Sequence, residues 1–377
     1  MKVVLISCFG HYEQRIKFVK EAFEAKGDEV TIIFSDFDHI NKTKVQNEME
    51  GIEYIHVKPY YKNISIARIV SHYIFAKKMY KRMLSEEPDL IYAIIPPNFI
   101  CRFLKKYKEK SNVKLIFDIY DLWPESFTNK RIEKIAFPIF NYWRSLRNNS
   151  LNSADYIITE CDLYQDYLKE IIKDVNSMTL YLTKQSNHQN EHSNNSLDAI
   201  HVCYLGSINN IINIDLIKKT LFSLNKIKPV ILEIIGKGES KDYFINEIEN
   251  LGIAIIDHGP LYGKEKNEVL GRCHFGINMM VDSVKVGLTM KSIDYFEAGL
   301  PLLNNIKGDT WNIVETQKIG FNISSNSIDE NTYKIANLSS KEYEAMNKNV
   351  NEVFADCFSV EVFNRKFTEI YSVLTNK

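Results

Sequence analysis

The strongest constraint on this chain is an alternation of short apolar runs with longer amphipathic stretches, which continues over almost its whole length. The apolar runs are rich in Val and Ile and have the length of buried strands. Their alternation with amphipathic helical stretches predicts parallel β-sheets with helical crossovers, and therefore an α/β fold. Strands are predicted at residues 3–8, 30–34, 54–57, 90–95, 114–119, 156–159, 178–182, 202–205, 230–235, 253–256, 275–278 and 302–304. Helices in the first half are predicted at 13–26, 64–84, 99–109, 131–147 and 163–172.

One polar stretch, KQSNHQNEHSNN at residues 184–195, interrupts this alternation, which then restarts. Since 377 residues exceed the usual size of a single core, we predict two Rossmann-like domains joined by a linker. The two histidines of this stretch lack ligand spacing, so no metal site is expected there. The predicted division is 1–183 for the first domain, 184–199 for the linker, 200–357 for the second domain and 358–377 for a C-terminal helix.

The composition is that of an ordinary globular protein, with 45% hydrophobic residues, 25% charged residues and a net charge of −1. The six cysteines lie far apart, without C-x-x-C or Cys/His spacing, so we expect reduced thiols in a cytoplasmic protein. The apolar run at residues 1–9 is short and is predicted to be a strand rather than a signal peptide or a membrane span. No nucleic-acid partner is expected.

The segment at residues 287–305, GLTMKSIDYFEAGLPLLNN, predicts a helix followed by a buried strand. Lys291 and Asp294 lie three positions apart near the start of this helix, so both side chains fall on one face. The unpaired N–H groups and the dipole of a helix N-terminus favour an anion at that point. The pattern therefore fits a diphosphate site, although solvated surface charges would produce the same spacing.

Several strings of this sequence resemble landmarks of the GT-B glycosyltransferases, in particular of glycosyltransferase family 4 and its bacterial capsular and surface-polysaccharide members. The first landmark is the donor-sugar motif P-S-K-x-x-E-Y-x-x-x-G-x-P, whose register matches Lys291, Asp294, Tyr295, Gly299 and Pro301. The others are PDLIY at 88–92, PP at 96–97, FDIYDLWPES at 117–126, ADYIIT at 154–159 and YLGS at 204–207. Together they span most of the chain, and DLWPES is a specific string.

The resemblance implies two Rossmann-like domains that face a cleft, with a C-terminal helix that crosses back to the first domain. It also implies transfer of a sugar from a nucleotide diphospho-sugar, expected to be a UDP-sugar, to a glycan or lipid-linked acceptor in surface-polysaccharide assembly. Members of the family retain the anomeric configuration and need no bound metal, so neither a metal nor a cofactor is expected.

The resemblance places the donor site in the second domain. Lys291 would neutralise the leaving diphosphate and so act in catalysis, and Asp294 would bind ribose. Gly206 and Ser207 would approach the phosphates from a strand-to-helix turn, although such a turn needs a glycine in any case. A G-x-G loop would lie beside the nucleotide base, although a tight turn alone would explain both glycines. The expected donor-binding residues are Gly206, Ser207, Gly236, Lys237, Gly238, Thr289, Lys291 and Asp294.

In the first domain, the candidate residues follow two predicted strands. Gly10 and His11 come after the first strand, where the family has a glycine-rich turn, and are expected to bind the acceptor. Asp121 lies beyond the carboxyl end of a later strand, the end at which α/β proteins bind ligands. It is expected to bind the acceptor and to act in catalysis, with Tyr120 and Glu125 as further catalytic candidates. A helix or turn cap is the alternative for Asp121, and a surface turn is the alternative for His11.

The sequence departs from the family pattern at three positions. Val286 stands where the family commonly has the first of two glutamates, and Asp294 replaces the second. Tyr120 stands where the family often has His or Arg. We interpret the chain as a divergent enzyme. The alternatives are a non-catalytic GT-B-like subunit that binds donor or a partner, and a nucleotide-sugar 2-epimerase, whose paired acids around a histidine are not found in the sequence.

A basic and partly aromatic segment in the first half predicts peripheral contact with an anionic membrane, such as the inner face of the plasma membrane. KPYYK at 58–62 leads into a predicted helix with basic residues among apolar ones. Each Lys or Arg near an anionic leaflet contributes about 1 kcal/mol. Lysines on the outer face of any helix are the alternative explanation. The basic residues are Arg68, Lys77, Lys78, Lys81, Arg82, Lys105, Lys106, Lys108 and Lys110.

Overall fold

The computed structural model describes residues 1–46, 49–63, 65–127, 130–185 and 196–375. Most of the predicted linker, residues 186–195, lies outside the described residues. The chain divides into two compact units. Unit 1 comprises Met1–Tyr181 and Phe363–Lys377, and unit 2 comprises Leu182–Val362.

The strands of unit 1 are β1 (Lys2–Ser7), β2 (Glu29–Ser35), β3 (Phe37–Asp38), β4 (Thr43–Lys44), β5 (Ile52–Ile55), β6 (Leu90–Ile95), β7 (Lys114–Ile119), β8 (Tyr156–Thr159) and β9 (Asn176–Thr179). Its helices before the C-terminal one are α1 (Glu13–Glu24), α2 (Ile66–Glu86), α3 (Phe99–Lys108), α4 (Lys130–Ile135), α5 (Phe137–Leu151) and α6 (Asp162–Leu168). Seven strands form a parallel sheet in the order β5-β2-β1-β6-β7-β8-β9, and β3 pairs with β4 in an antiparallel ribbon. The strand order reverses between β1 and β6, which is the switch point at which such sheets bind ligands.

The strands of unit 2 are β10 (Ile200–Leu205), β11 (Val230–Ile235), β12 (Ala254–Gly259), β13 (Phe275–Asn278), β14 (Leu302–Asn304) and β15 (Gly320–Asn322). Its helices are α7 (Ile214–Asn225), α8 (Lys241–Glu249), α9 (Gly263–Leu270), α10 (Met290–Glu297), α11 (Asp309–Gln317), α12 (Ile328–Ala336) and α13 (Ser340–Cys357). The parallel sheet has the order β12-β11-β10-β13-β14-β15, with its switch point between β10 and β13. The predicted α/β class with two Rossmann-like sheets is confirmed.

The last helix, α14 (Val360–Thr375), belongs to unit 1 over most of its length. Its Phe367 ring meets the ring of Phe23 on α1 edge to face, with 4.9 Å between centroids. The hydroxyl of Tyr371 donates to the Asp28 carboxylate at 3.3 Å. The predicted return of the C-terminal helix to the first domain is therefore confirmed.

A buried ion pair joins the middle of the unit 1 sheet to α1. The guanidinium of Arg15 donates to Asp118 on β7 with an Nε–Oδ2 distance of 2.8 Å, and both side chains are almost fully buried. The Tyr92 hydroxyl donates to the same carboxylate. Arg15 also donates to the carbonyls of Leu180 at 3.0 Å and Tyr181 at 3.1 Å. Because these carbonyls bond to a side chain, β9 ends before them, and the strand predicted at 178–182 lies at Asn176–Thr179.

Other differences from the predicted elements also have identifiable causes. The strand predicted at 54–57 ends at Ile55, because the Val57 N–H donates to the Asp36 carboxylate at 2.8 Å. The helix predicted at 131–147 is divided into α4 and α5. Pro138 lies in the first turn of α5, where proline is tolerated, whereas it would break a continuous helix. The short strands β3, β4 and β15 have no counterpart among the predicted strands.

Among the described residues, no helix combines the length and the apolar character needed to cross a bilayer. Nor do these residues contain a group of three or more His, Cys, Asp or Glu side chains arranged to hold a metal ion. None of the six cysteines, all of which lie in the described ranges, forms a disulfide, and all but Cys357 are buried.

Candidate functional site

The predicted donor residues of unit 2 lie at the carboxyl ends of β10 and β11 and at the start of α10. Gly206 and Ser207 follow β10, Gly236 follows β11, and Lys291 stands in the first turn of α10. These segments surround the switch point between β10 and β13. This is the edge at which an open parallel sheet binds nucleotides.

The N-terminus of α10 is fixed by a buried polar network. Thr289 is the N-cap residue, and its Oγ1 accepts from the Ser292 N–H at 3.2 Å. The same hydroxyl donates to Oδ1 of Asn278, at the end of β13, at 3.2 Å. The Tyr295 hydroxyl accepts from the Leu205 N–H at 2.8 Å and donates to the Cys203 and Ile277 carbonyls. Thr289 thus has a capping role, and α10 is held against β10 and β13.

The ammonium of Lys291 is desolvated by burial within unit 2. It lies over the ring of Tyr204, 4.8 Å from the centroid. Within the described part of the chain, Lys291 has no ion pair and no hydrogen bond to its ammonium. Burial lowers the pKa of this ammonium to about 8. A desolvated cation at the positive end of a helix dipole is an unfavourable arrangement that a bound anion relieves.

Asp294 is engaged by two lysines that the sequence analysis does not single out. Its carboxylate accepts from Lys266 on α9 at 2.6 Å and also from Lys184. Lys184 donates to Glu297 as well, at 2.6 Å. Asp294 therefore belongs to a cluster of opposite charges, and its predicted contact with ribose stays a prediction. The polar neighbours of Lys184 in the sequence predict a linker at this position, so the sequence alone does not indicate its ion pair with Asp294.

The G-x-G loop after β11 has a structural reason for both glycines. Gly236 and Gly238 each have a φ of +158°. A Cβ on Gly236 would come within 2.0 Å of the Gly206 carbonyl oxygen, and one on Gly238 within 2.1 Å of the Ile208 carbonyl oxygen. The loops after β10 and β11 are thus packed backbone to backbone, which no larger residue allows. The Lys237 and Ser207 side chains between these positions are exposed.

In unit 1, the predicted acceptor residues lie at the carboxyl ends of β1 and β7. Gly10 and His11 form a short 3-10 turn after β1, and the His11 ring stacks on Phe9 with 5.4 Å between centroids. Tyr120 directly follows β7, and its ring lies 4.3 Å from that of Tyr12. Burial raises the pKa of Tyr120, so its hydroxyl stays protonated at neutral pH. Aromatic rings therefore line this edge of the sheet.

Asp121 lies next to Tyr120 at the same edge. Its N–H donates to the Ile95 carbonyl at the end of β6, at 3.3 Å. Burial raises the pKa of the Asp121 carboxyl, while Ser126, Arg68 and Arg147 act in the opposite direction. A carboxyl with a raised pKa at the ligand-binding edge of a sheet fits a residue that exchanges a proton or orients a hydroxyl.

Glu125, a predicted catalytic candidate, is surrounded by arginine side chains. Both of its oxygens accept from Arg147, at 2.8 and 3.0 Å, and Oε1 also accepts from Arg144 at 2.9 Å. Glu125 is 2% exposed and Arg147 is fully buried. The carboxylate is therefore saturated by arginine, and the arrangement favours a structural role for Glu125 in holding the DLWPES loop on α5.

Comparison with protein-family models finds no match for this chain, and comparison with curated protein sequences finds none either. Solved structures do match. Sucrose-phosphate synthase from Thermosynechococcus elongatus superposes with a TM-score of 0.74 at 14% identity, over 99% of each chain. The TM-score is 0.70 at 14% identity for HepE of Anabaena in complex with UDP, over 99% of this chain and 100% of that one. The lipopolysaccharide outer core galactosyltransferase WaaB also superposes with a TM-score of 0.70 at 14% identity, over 99% of each chain.

These matches, along nearly the whole chain, decide the architecture. The fold is GT-B. The identities are too low to show more than the fold, so membership of glycosyltransferase family 4 stays a prediction. HepE has been solved in complex with UDP and in complex with UDP-glucose.

Proposed function

We propose that this GT-B protein is a glycosyltransferase that moves a sugar from a UDP-sugar to a glycan or lipid-linked acceptor in surface-polysaccharide assembly. One observation carries the proposal: the unpaired, desolvated ammonium of Lys291 at the start of α10, beside the switch point of the unit 2 sheet. The UDP and UDP-glucose complexes of HepE support a diphosphate as the anion that Lys291 binds. Retention of configuration and independence from a bound metal are carried over from the sequence resemblance.

In the proposed reaction, Lys291 and the N–H groups of α10 stabilise the charge that develops on the departing diphosphate. Asp294, held by Lys184 and Lys266, binds the ribose of the nucleotide. Asp121 orients the acceptor hydroxyl. Catalysis then consists largely of positioning and electrostatic stabilisation.

The direct test is UDP release from a panel of UDP-sugars, with and without lipid-linked oligosaccharide acceptors, repeated in EDTA. Release that depends on an acceptor and survives EDTA is expected. UDP binding without release would indicate a non-catalytic subunit. Conversion of the donor sugar without an acceptor would indicate an epimerase, and failure to bind any UDP-sugar would overturn the proposal.

The Asp121→Asn variant is expected to lower turnover strongly while UDP affinity changes little. The amide keeps the size of the side chain but cannot take a proton, and Asp121 acts mainly in the transition state. Turnover in the UDP-release assay and UDP affinity by calorimetry check this. Equal loss of both, or loss of folding, would favour a capping role for Asp121.

We further propose peripheral attachment to an anionic membrane through unit 1. Its helices α2, α4 and α5 expose large apolar side chains, including Ile66 at 78%, Ile135 at 84% and Phe137 at 56%. Exposed lysines of α2 and α3, such as Lys77, Lys81 and Lys106, add positive charge to unit 1. Two of the predicted basic residues are already paired: Arg82 with Glu53 and Glu86, and Lys108 with Asp155. Their positive charges are partly neutralised by these carboxylates and contribute less to membrane binding.

Co-sedimentation with liposomes tests the attachment. Binding to anionic vesicles is expected at low salt and is expected to weaken at high salt. Reversal of Lys77, Lys81 and Lys106 to Glu should abolish it, whereas reversal of the exposed Lys226 and Lys264 of unit 2 should not. Equal recovery in the supernatant with anionic and neutral vesicles would show that unit 1 does not attach.

A further inference from the structure

Two lysines of unit 2 share a single oxygen of the Asp294 carboxylate. Lys266 donates to Oδ1 at 2.6 Å, and Lys184 donates to the same oxygen. From the described part of the chain, the other oxygen, Oδ2, receives no hydrogen bond. An ionised carboxylate has about four acceptor positions, so Asp294 retains unused acceptor capacity at Oδ2.

The two lysines differ in how many of their N–H donors are used. Lys184 donates to Asp294 and also to the buried Glu297, at 2.6 Å. Among the described residues, the ammonium of Lys266 bonds only to Asp294, which leaves two of its three donors unused. Because the side chain of Lys266 is only 13% exposed, water satisfies these donors poorly.

The charges around Lys266 are unbalanced in the ligand-free protein. Burial lowers the pKa of Lys266, and the nearby ammonium of Lys184 adds to this effect, whereas Asp294 acts in the opposite direction. For Lys184, Asp294 and Glu297 outweigh burial and raise the pKa to about 12. Lys266 is therefore the less well compensated of the two cations, and a further oxygen acceptor beside it is favourable.

Both residues lie at the edge of the unit 2 sheet that carries the candidate donor residues. α9 follows the carboxyl end of β12, and Lys266 stands in its first turn. Asp294 follows Lys291 by about one turn of α10, which is about 5 Å along the helix axis. An unused carboxylate oxygen and an unused ammonium thus lie side by side, one turn from the proposed diphosphate contact.

A carboxylate oxygen next to an ammonium matches the hydrogen-bonding pattern of a vicinal diol. One hydroxyl donates to Oδ2 of Asp294, and the oxygen of the neighbouring hydroxyl accepts from Lys266. The ribose of a ribonucleotide carries such a pair at its 2′ and 3′ positions. A 2′-deoxyribose lacks one of the two hydroxyls and leaves one of the two protein groups without its partner.

We propose that Lys266 is a specificity-determining residue of the donor site, which binds the 2′,3′-diol together with Asp294 and so selects ribonucleoside diphosphates over 2′-deoxyribonucleoside diphosphates. This inference rests on the proposed ribose contact of Asp294 and adds its second hydrogen-bonding partner. Lys184 keeps its bonds to Asp294 and Glu297 and holds the carboxylate in place.

Calorimetry on the full chain with UDP, 2′-deoxy-UDP and 3′-deoxy-UDP tests the proposal. The parent is expected to bind UDP about tenfold or more tightly than either deoxy analogue, which corresponds to one hydrogen bond to a charged group. In Lys266→Met, UDP affinity should fall by about the same factor. One deoxy analogue should then bind as tightly as UDP, because the missing hydroxyl has no partner left, while the other analogue stays weaker. The analogue that loses its penalty identifies the hydroxyl that Lys266 binds.

Lys264→Met is the matched control on the same helix. The Lys264 side chain is 91% exposed and lies 3.7 Å from Glu268, so all three affinities should stay at the parental values. Equal weakening of the three ligands in Lys266→Met would show that Lys266 only positions Asp294, and would overturn the proposal. If that variant fails to fold, the parent still decides: equal affinity for UDP and both deoxy analogues would also overturn it.

The same measurements separate this inference from the proposed function. Discrimination that depends on Lys266, without acceptor-dependent UDP release, would contradict the glycosyltransferase function alone. UDP release by a Lys266→Met variant that discriminates against both deoxy analogues as the parent does would contradict this inference alone.

Discussion

The Lys291→Ala variant is expected to bind UDP about 10- to 100-fold more weakly than the parent and to show no detectable sugar transfer. A hydrogen bond to a charged group contributes about 1.5–3 kcal/mol, and a desolvated diphosphate contact belongs to this range. The ligand-free variant should be at least as stable as the parent, because Lys291 has no ion pair to lose and its ammonium lies over Tyr204 in a desolvated position. Calorimetry with UDP and thermal unfolding measure the two effects.

Lys237→Ala is the matched control for Lys291→Ala. Lys237 lies in the G-x-G loop at the same edge of the sheet, but its side chain is exposed. Its removal should change UDP affinity only slightly, since exposed charges contribute about 0–1 kcal/mol. If a folded Lys291→Ala variant binds UDP as the parent does, Lys291 does not belong to the donor site.

The pH dependence of the parent gives an independent measure of the same residue. Because the pKa of Lys291 in the ligand-free protein is about 8, UDP affinity should fall as the pH rises through about 8 and the ammonium loses its proton. Binding near this pH should take up protons, because the diphosphate favours the charged lysine. The folded pKa is below the unfolded one, so the stability of the ligand-free protein should rise with pH above about 8. Calorimetry in buffers of different ionisation enthalpy detects the proton uptake, which should be absent in Lys291→Ala.

The strands were most predictable where the chain marks their ends locally. The bounds predicted for β11, β13 and β14 agree with the structure, because Gly236 terminates one strand and Pro301 precedes another. The strands predicted at 54–57 and 178–182 are displaced because Asp36 and Arg15 bond to backbone groups at their ends. Such side-chain contacts join distant parts of the chain, so local periodicity cannot anticipate them.

In the candidate site, too, contacts between neighbours in sequence are predictable, whereas contacts between distant segments are not. Helical spacing predicts that Lys291 and Asp294 share a face of α10, and both residues lie in that helix. The pairing of Asp294 with Lys184 and Lys266 depends on segments 110 and 28 positions away in sequence, which spacing does not reveal.

The Glu125→Gln variant is expected to lower the free energy of unfolding of unit 1 by about 3–5 kcal/mol, because it leaves Arg147 buried without a counter-charge. Glu24→Gln is the control in the same unit: its partner Lys20 is 3.6 Å away and both side chains are substantially exposed, so the loss should be at most about 1 kcal/mol. Urea unfolding followed by tryptophan fluorescence reports on the change, since Trp123 lies two positions from Glu125.

The pH dependence of this stability follows from the same pair. Burial opposes ionisation of Glu125, but Arg147 outweighs it and holds the pKa of the carboxyl below its usual range. The stabilisation is therefore present above the unfolded pKa of about 4.3 and is lost as the pH falls through the lower folded pKa. In Glu125→Gln this part of the acid sensitivity should disappear. A variant that unfolds at the urea concentration of the parent yet transfers no sugar would instead restore the catalytic role that the sequence predicts, because the loss would then lie in the chemistry and not in the packing of the loop.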